Sequence, residues 1–160
     1  MTSPTGIDPR SPRFGAGITA ALLLVVVALG LGAPLGATVG DRVLEPAVPL
    51  FTVIALLFGW AAFAGVARHP YGLLFRALVR PRLSPPPELE DPAPPTFAQG
   101  VGFAITLIGL ALHLLGVPGA LVIAASAAFV AAFLNSVFAY CLGCQIYLLL
   151  ARARLIRRAA

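Results

Sequence analysis

Residues 119–150 read GALVIAASAAFVAAFLNSVFAYCLGCQIYLLL, an uninterrupted run without Asp, Glu, Lys or Arg. About 20 apolar residues suffice for a helix to cross a hydrocarbon core about 30 Å thick. The run is therefore long enough to span a bilayer and to continue past its surface. Three further uncharged apolar stretches precede it, at 14–35, 46–67 and 97–115. Lipid offers no partner to an open backbone, so each is predicted to be a helix. The expected fold class is all-α, a polytopic membrane protein with four transmembrane helices in one domain over 1–160. The last span is placed at 119–140, with an amphipathic tail at 145–160.

Composition points the same way. Of 160 residues, 59% are hydrophobic and 11% charged, and the mean hydropathy is +0.96. Soluble domains run at about 45–50% apolar and about 25% charged. Disorder needs the opposite composition, and two cysteines cannot staple a secreted scaffold. Arg10 and Arg13 before the first span invite a signal-peptide reading, but its apolar run exceeds an h-region of about 7–15 residues. The span is expected to stay.

All eleven basic residues are arginine, and the net charge is +5. Their distribution gives an orientation. Arg10 and Arg13 precede the first span. Arg68, Arg76, Arg80 and Arg82 lie between the second and third, and Arg152, Arg154, Arg157 and Arg158 follow the fourth. Only Arg42, beside Asp41 and Glu45, lies between the first two spans, and the turn 116–119 is uncharged. Positive residues stay cytoplasmic, so both termini and the loop 68–96 are expected in the cytoplasm. The charge is then a topological signal, and no nucleic acid is expected as a partner. The Val-Pro-Gly turn at 117–119 makes the last two spans an antiparallel hairpin. Small residues along them, Gly102, Gly109 and Ala124 among them, read as packing positions.

The loop divides in two. Residues 70–83 mix Leu73, Leu74, Phe75, Leu78 and Val79 with Arg76, Arg80 and Arg82, the pattern of a short helix on inner headgroups. Residues 84–95 read SPPPELEDPAPP. That proline density is expected to forbid helix and favour an extended form. Glu88, Glu90 and Asp91 stand in it, either as a docking strip for a soluble partner or as a connector paired with nearby arginines.

The two cysteines, Cys141 and Cys144, stand three apart. On a helix they would share a face, with Cα atoms in the disulfide range of about 4.4–6.8 Å. About 33 Å along the last span from Gly119 at 1.5 Å per residue, they fall at its inner end. A structural disulfide is not expected beside a reducing cytoplasm, whereas a transient redox or sulfur-carrying pair is compatible. Late in a helix the dipole disfavours a thiolate. A break at Gly143 would reverse this by starting a new interfacial helix at Cys144, with Ile146, Leu149, Leu150, Ala153 and Ile156 on one side. Arg76, Arg80 and Arg82 are the candidates for charge support. Two small packed residues remain an equal reading. Cys141 and Cys144 could serve a metal only in a dimer that brings four thiolates together, and no cofactor is expected. Asn135 points away from Cys144 on an ideal helix and reads as interhelical glue. His113, near the outer end of the third span, reads as a core or interface histidine. The spans carry no carboxylate, and no repeat is evident, so a transport plan has little support.

Several stretches together are similar to one family. They are Ile7-Asp8-Pro9-Arg10 with Pro12-Arg13-Phe14, then Pro70-Tyr71-Gly72-Leu73-Leu74-Phe75-Arg76 with Arg80-Pro81-Arg82. The others are Glu88-Leu89-Glu90-Asp91-Pro92 with Pro95 and Phe97-Ala98-Gln99, and Cys141-Leu142-Gly143-Cys144 with Tyr147. In order and spacing they resemble a bacterial, mainly actinobacterial, family of small membrane proteins, domain of unknown function 4395. The resemblance covers nearly the whole chain and implies a bacterial inner membrane. The family has no established activity. Its members often accompany thioredoxin-like proteins and sulfurtransferases, which implies such a partner by association. Where the family often has Glu after the second cysteine, this chain has Gln145. The resemblance favours thiol chemistry at Cys141 and Cys144 over packing. It leaves open a non-enzymatic anchor that docks a partner through the loop, and a homo-oligomer.

Overall fold

The computed structural model describes residues 6–155. Ile156, Arg157 and Arg158 of the expected tail lie outside the described residues. Among the described residues, seven α-helices follow in order: α1 (Arg10–Gly32), α2 (Val39–Val43), α3 (Ala47–Ala64), α4 (Pro70–Leu74), α5 (Ala93–Leu114), α6 (Ala120–Phe138) and α7 (Leu142–Arg152). Four of them, α1, α3, α5 and α6, are long and apolar enough to cross a membrane.

These four close a ring of contacts in which α1 packs on α3 and α6, and α5 on α3 and α6. Leu23, Val26, Phe51, Ile54, Leu121 and Ala125 fill its centre. The ring's outer wall carries Leu24, Leu31, Leu56, Phe63, Ile108 and Ile123, all exposed. At most 39% of any spanning window is buried within the protein. A bundle in water would hide such a wall, whereas lipid is as apolar as the wall itself. Close approach is set by small residues. A Cβ on Gly109 would fall 2.2 Å from the Ala124 Cβ, so no side chain fits at that crossing of α5 and α6.

The span boundaries differ from the expected ones where proline was read too strictly. Helix α5 begins at Ala93, taking Pro94 and Pro95 into its first turn, where the missing N–H has no intrahelical partner to lose. The Asp91 carboxylate caps this start, accepting from the Ala93 N–H at 2.9 Å. Residues 83–90 are free of helix as expected.

The two ends of the bundle are built differently. At one end, the Arg42 guanidinium donates to the carbonyls of Gly36 (2.8 Å), Ala37 (3.0 Å) and Leu114 (2.9 Å), tying the first connection to the last turn of α5. Glu45 accepts from the Gly36 N–H at 2.8 Å. The buried His113 ring lies 3.0 Å from the other Glu45 oxygen. At the arginine-rich end, Ile7 and Glu90 exchange two backbone hydrogen bonds of 2.9 Å. Asp8 accepts from Arg10 at 2.8 and 2.9 Å and faces Arg80 at 3.4 Å. Arg10 also reaches the Ser84 carbonyl at 2.9 Å. The Arg10 hydrogen bond holds the Asp8 carboxyl below its ordinary value, against the opposing effect of burial. The loop acids do not pair with arginines among the described residues; Asp8 takes that part instead.

The segment expected as a short surface helix is a composite. Helix α4 widens to a π-turn over Phe75–Val79 and tightens to a 3-10 turn over Arg80–Arg82, where Pro81 ends regular helix. Phe75 turns inward against Phe14, with ring centroids 5.8 Å apart. Leu73, Leu74 and Leu78 stay exposed.

Candidate functional site

The long apolar run at 119–150 does not form one helix. Helix α6 ends at Phe138, and Ala139 takes a left-handed conformation, φ 56°. The Ala139 and Tyr140 amides both reach back to the Leu134 carbonyl. Cys141 is extended, and α7 starts at Leu142. The break thus falls at 139–141, ahead of Gly143, where the sequence offered it. Gly143 has another task. A Cβ there would lie 2.5 Å from the Ala98 Cβ and 2.6 Å from its Cα, so its missing side chain lets α7 close on α5. Tyr147 continues that seam against Phe97, ring centroids 5.6 Å apart.

The cysteines therefore do not lie late in a helix. Cys141 is the N-cap of α7, and its Sγ accepts from the Cys144 N–H at 3.3 Å. The two are joined as a disulfide with Cα atoms 5.2 Å apart, within the normal range. Their surroundings are unequal, since Cys141 is half-buried and Cys144 buried, 9% exposed. The objection from the helix dipole is removed, because the pair occupies the positive end of α7.

A cavity of about 550 Å³ opens over the pair, lined by Cys141, Cys144, Arg13, Glu88, Glu90 and Asn135, among others. Here the structure joins residues that the sequence keeps far apart. Glu88 and Glu90 of the loop line the same cavity as the cysteines, and the Ile7–Glu90 pairing holds the loop in place. Asp91 lines a separate groove between α3 and α5. Burial and neighbouring Asp91 push the Glu90 carboxyl up. Asn135 lines the cavity because the break carries the cysteines around the end of α6. The expectation that it points away assumed a continuous helix.

Arg76, Arg80 and Arg82 are not among the residues lining that cavity. Arg76 donates to the Ala67 carbonyl at 3.1 Å, Arg82 to the Leu78 carbonyl, and Arg80 faces Asp8. Arg76 and Arg80 line instead a neighbouring pocket of about 340 Å³ with Asp8, His69, Tyr71 and Gln99. The arginine at the cysteine cavity is Arg13, which the sequence offered only as a topological charge. His69 was passed over as well. It caps α4 by accepting from the Tyr71 N–H at 3.3 Å, and burial pushes its pKa down. Only its place before Pro70, where a helix can start, marked it. Among the described residues, no three His, Cys, Asp or Glu side chains gather as a metal site.

Neither the curated proteins nor the solved structures contain a match to this chain. A family profile described as a domain of unknown function matches residues 7–152, which include every residue of the cysteine cavity named above. The chain belongs to that family, DUF4395.

Proposed function

We propose that this protein is a multi-pass protein of the bacterial inner membrane, with both termini cytoplasmic, that presents a redox-active dithiol at its cytoplasmic face. The observation that carries the reading is the position of Cys141. It caps a helix, its sulfur accepts a backbone N–H, and it is the less buried of the two cysteines that line the cavity. That inequality separates an attacking sulfur from a resolving one. In the reduced pair, the start of α7 stabilises the Cys141 thiolate.

The exchange partner is a soluble thioredoxin-like protein or a sulfurtransferase. In the redox form of the reaction, a partner thiolate attacks the Cys141 sulfur and the Cys141–Cys144 bond breaks. Cys144 leaves as a thiolate and takes a proton. The partner's second thiol then resolves the mixed disulfide. Two electrons pass to the pair, and the partner leaves as a disulfide. Glu88 and Glu90, at the rim of the cavity, form the docking edge.

Alkylation of the two thiols in native membranes, before and after oxidant, tests this. Reduced Cys141 should react faster than Cys144, with a midpoint below the ~8.5 of a free cysteine. Both should be protected after oxidation, and Cys141→Ser or Cys144→Ser should abolish that protection. If neither thiol reacts at any potential, the pair is structural. A second reading, an anchor without chemistry, is favoured by the backbone pairing that fixes the loop to Ile7, just before α1. It predicts that partner capture needs Glu88 and Glu90 but survives both serine variants.

A further inference from the structure

Cys141 borders two cavities. Besides the outer one, it lines an inner cavity of about 220 Å³ between α1, α3, α5, α6 and the start of α7. The inner cavity runs along α5 to Ile105, about 18 Å from the first residue of that helix at 1.5 Å per residue. It therefore reaches well into the apolar length of the bundle. Ala127, Ala128, Ala131 and Ala132 form much of one side, and their small size creates the space. An apolar cavity of about 150 Å³ holds a benzene, so this one has room for a substituted ring. Thr19, Gln99 and Asn135 supply the polar groups of its lining. Leu142 and Ile146 line it too and are exposed, which gives a ligand tail a way to the lipid.

We infer that the inner cavity takes the ring of a lipid-soluble quinone, which accepts two electrons from the reduced cysteine pair. The inference rests on the redox reading above and names the second reactant. Three observations select the ligand class. The cavity's depth and apolar walls call for a lipid-soluble molecule. Amide and hydroxyl donors near the cysteines suit carbonyl oxygens. The dithiol requires an acceptor of two electrons and two protons. In the reaction, the Cys141 thiolate adds to the quinone ring, forming a C–S bond, and one ring oxygen takes a proton. Cys144 attacks the Cys141 sulfur, the S–S bond forms, and the C–S bond breaks with its electron pair left on the ring. The second oxygen takes the second proton. The dithiol ends as a disulfide and the quinone as a quinol. Outer and inner cavities meet at one sulfur, so a soluble dithiol can refill the pair from one side while quinone empties it from the other.

The test uses the full-length protein in detergent, reduced, freed of reductant and mixed anaerobically with a short-chain quinone. Quinol is read by absorbance and the disulfide by thiol alkylation. The expected result is one quinol per disulfide, and none with Cys141→Ser. Ala131→Leu and Ile146→Trp, which fill the cavity at two separate places, should slow quinol formation at least tenfold. Both should leave reduction of a soluble aromatic disulfide at the wild-type rate, which also reports that each variant is folded. Quinol formation that is unchanged in both filled variants, or absent while the soluble disulfide is still reduced, overturns the inference and leaves the redox reading standing. Loss of both reactions in the wild-type protein overturns the redox reading itself.

Discussion

Two chain reversals frame α6, and both use left-handed residues. Before α6, Gly116 and Gly119 have φ of 90° and 73°, at no steric cost. After α6, the residue is Ala139 at φ 56°, where a Cβ costs roughly 1–2 kcal/mol. The first reversal lies at the end sealed by Arg42, whose donors are spent on backbone carbonyls. The second lies at the end with cavities, where Arg13, Gln99, Asn135 and the cysteines line open space. The relaxed turn closes the bundle, whereas the strained one turns the chain so that a thiol pair starts a helix. Backbone strain of this kind clusters at functional sites, and here it stands two residues before Cys141.

Substitutions can separate the two ends. Gly143→Leu should have the largest effect, because its side chain would meet the backbone of Ala98. Overpacking of this kind costs about 1–3 kcal/mol. It should also move α7 off α5, so that thermal unfolding and the alkylation rate of Cys144 change together. Gly109→Leu clashes at the crossing of α5 with α6 and should lower stability by a similar 1–3 kcal/mol or so. Being far from the cysteines, it should leave the ratio of Cys141 to Cys144 alkylation rates unchanged. If the ratio shifts as far as in Gly143→Leu, the two ends are not independent.

Ala139→Gly relieves the left-handed strain but loosens the unfolded chain. The net gain in stability should be about 0.5 kcal/mol, read as a small rise in Tm with the thiol reactions retained. The smallest effect belongs to Asp8→Asn, with a Tm drop of less than about 4 °C. Its signature is in the pH dependence. The folded-state pKa of Asp8 is depressed, so its contribution is present above the unfolded value of 3.8 and fades as pH falls through the folded one. Wild-type stability should therefore drop on acidification below about 4, and Asp8→Asn should flatten that drop.

The four helices long and apolar enough to cross a membrane, the hairpin turn and the clustering of arginine were all legible in the sequence. They follow from local facts: uncharged runs of sufficient length, glycines where a turn needs positive φ, and charge at the ends of spans. The cysteine pair was legible as a pair for the same reason, since its spacing of three is local. Its place at a new helix start was offered with the break at Gly143, but the break's actual position at 139–141 was not legible. Nothing in Phe138-Ala139-Tyr140 marks the end of a helix, and alanine is the best helix former. The break is settled by tertiary packing, because Gly143 lets α7 lie on Ala98 of α5 and Tyr147 meets Phe97. The same packing exchanged Arg76, Arg80 and Arg82 for Arg13 at the cysteine cavity and brought Asn135 and Glu88 to its walls. Residues distant in sequence meet only when helices pack, and that packing decided what surrounds each sulfur.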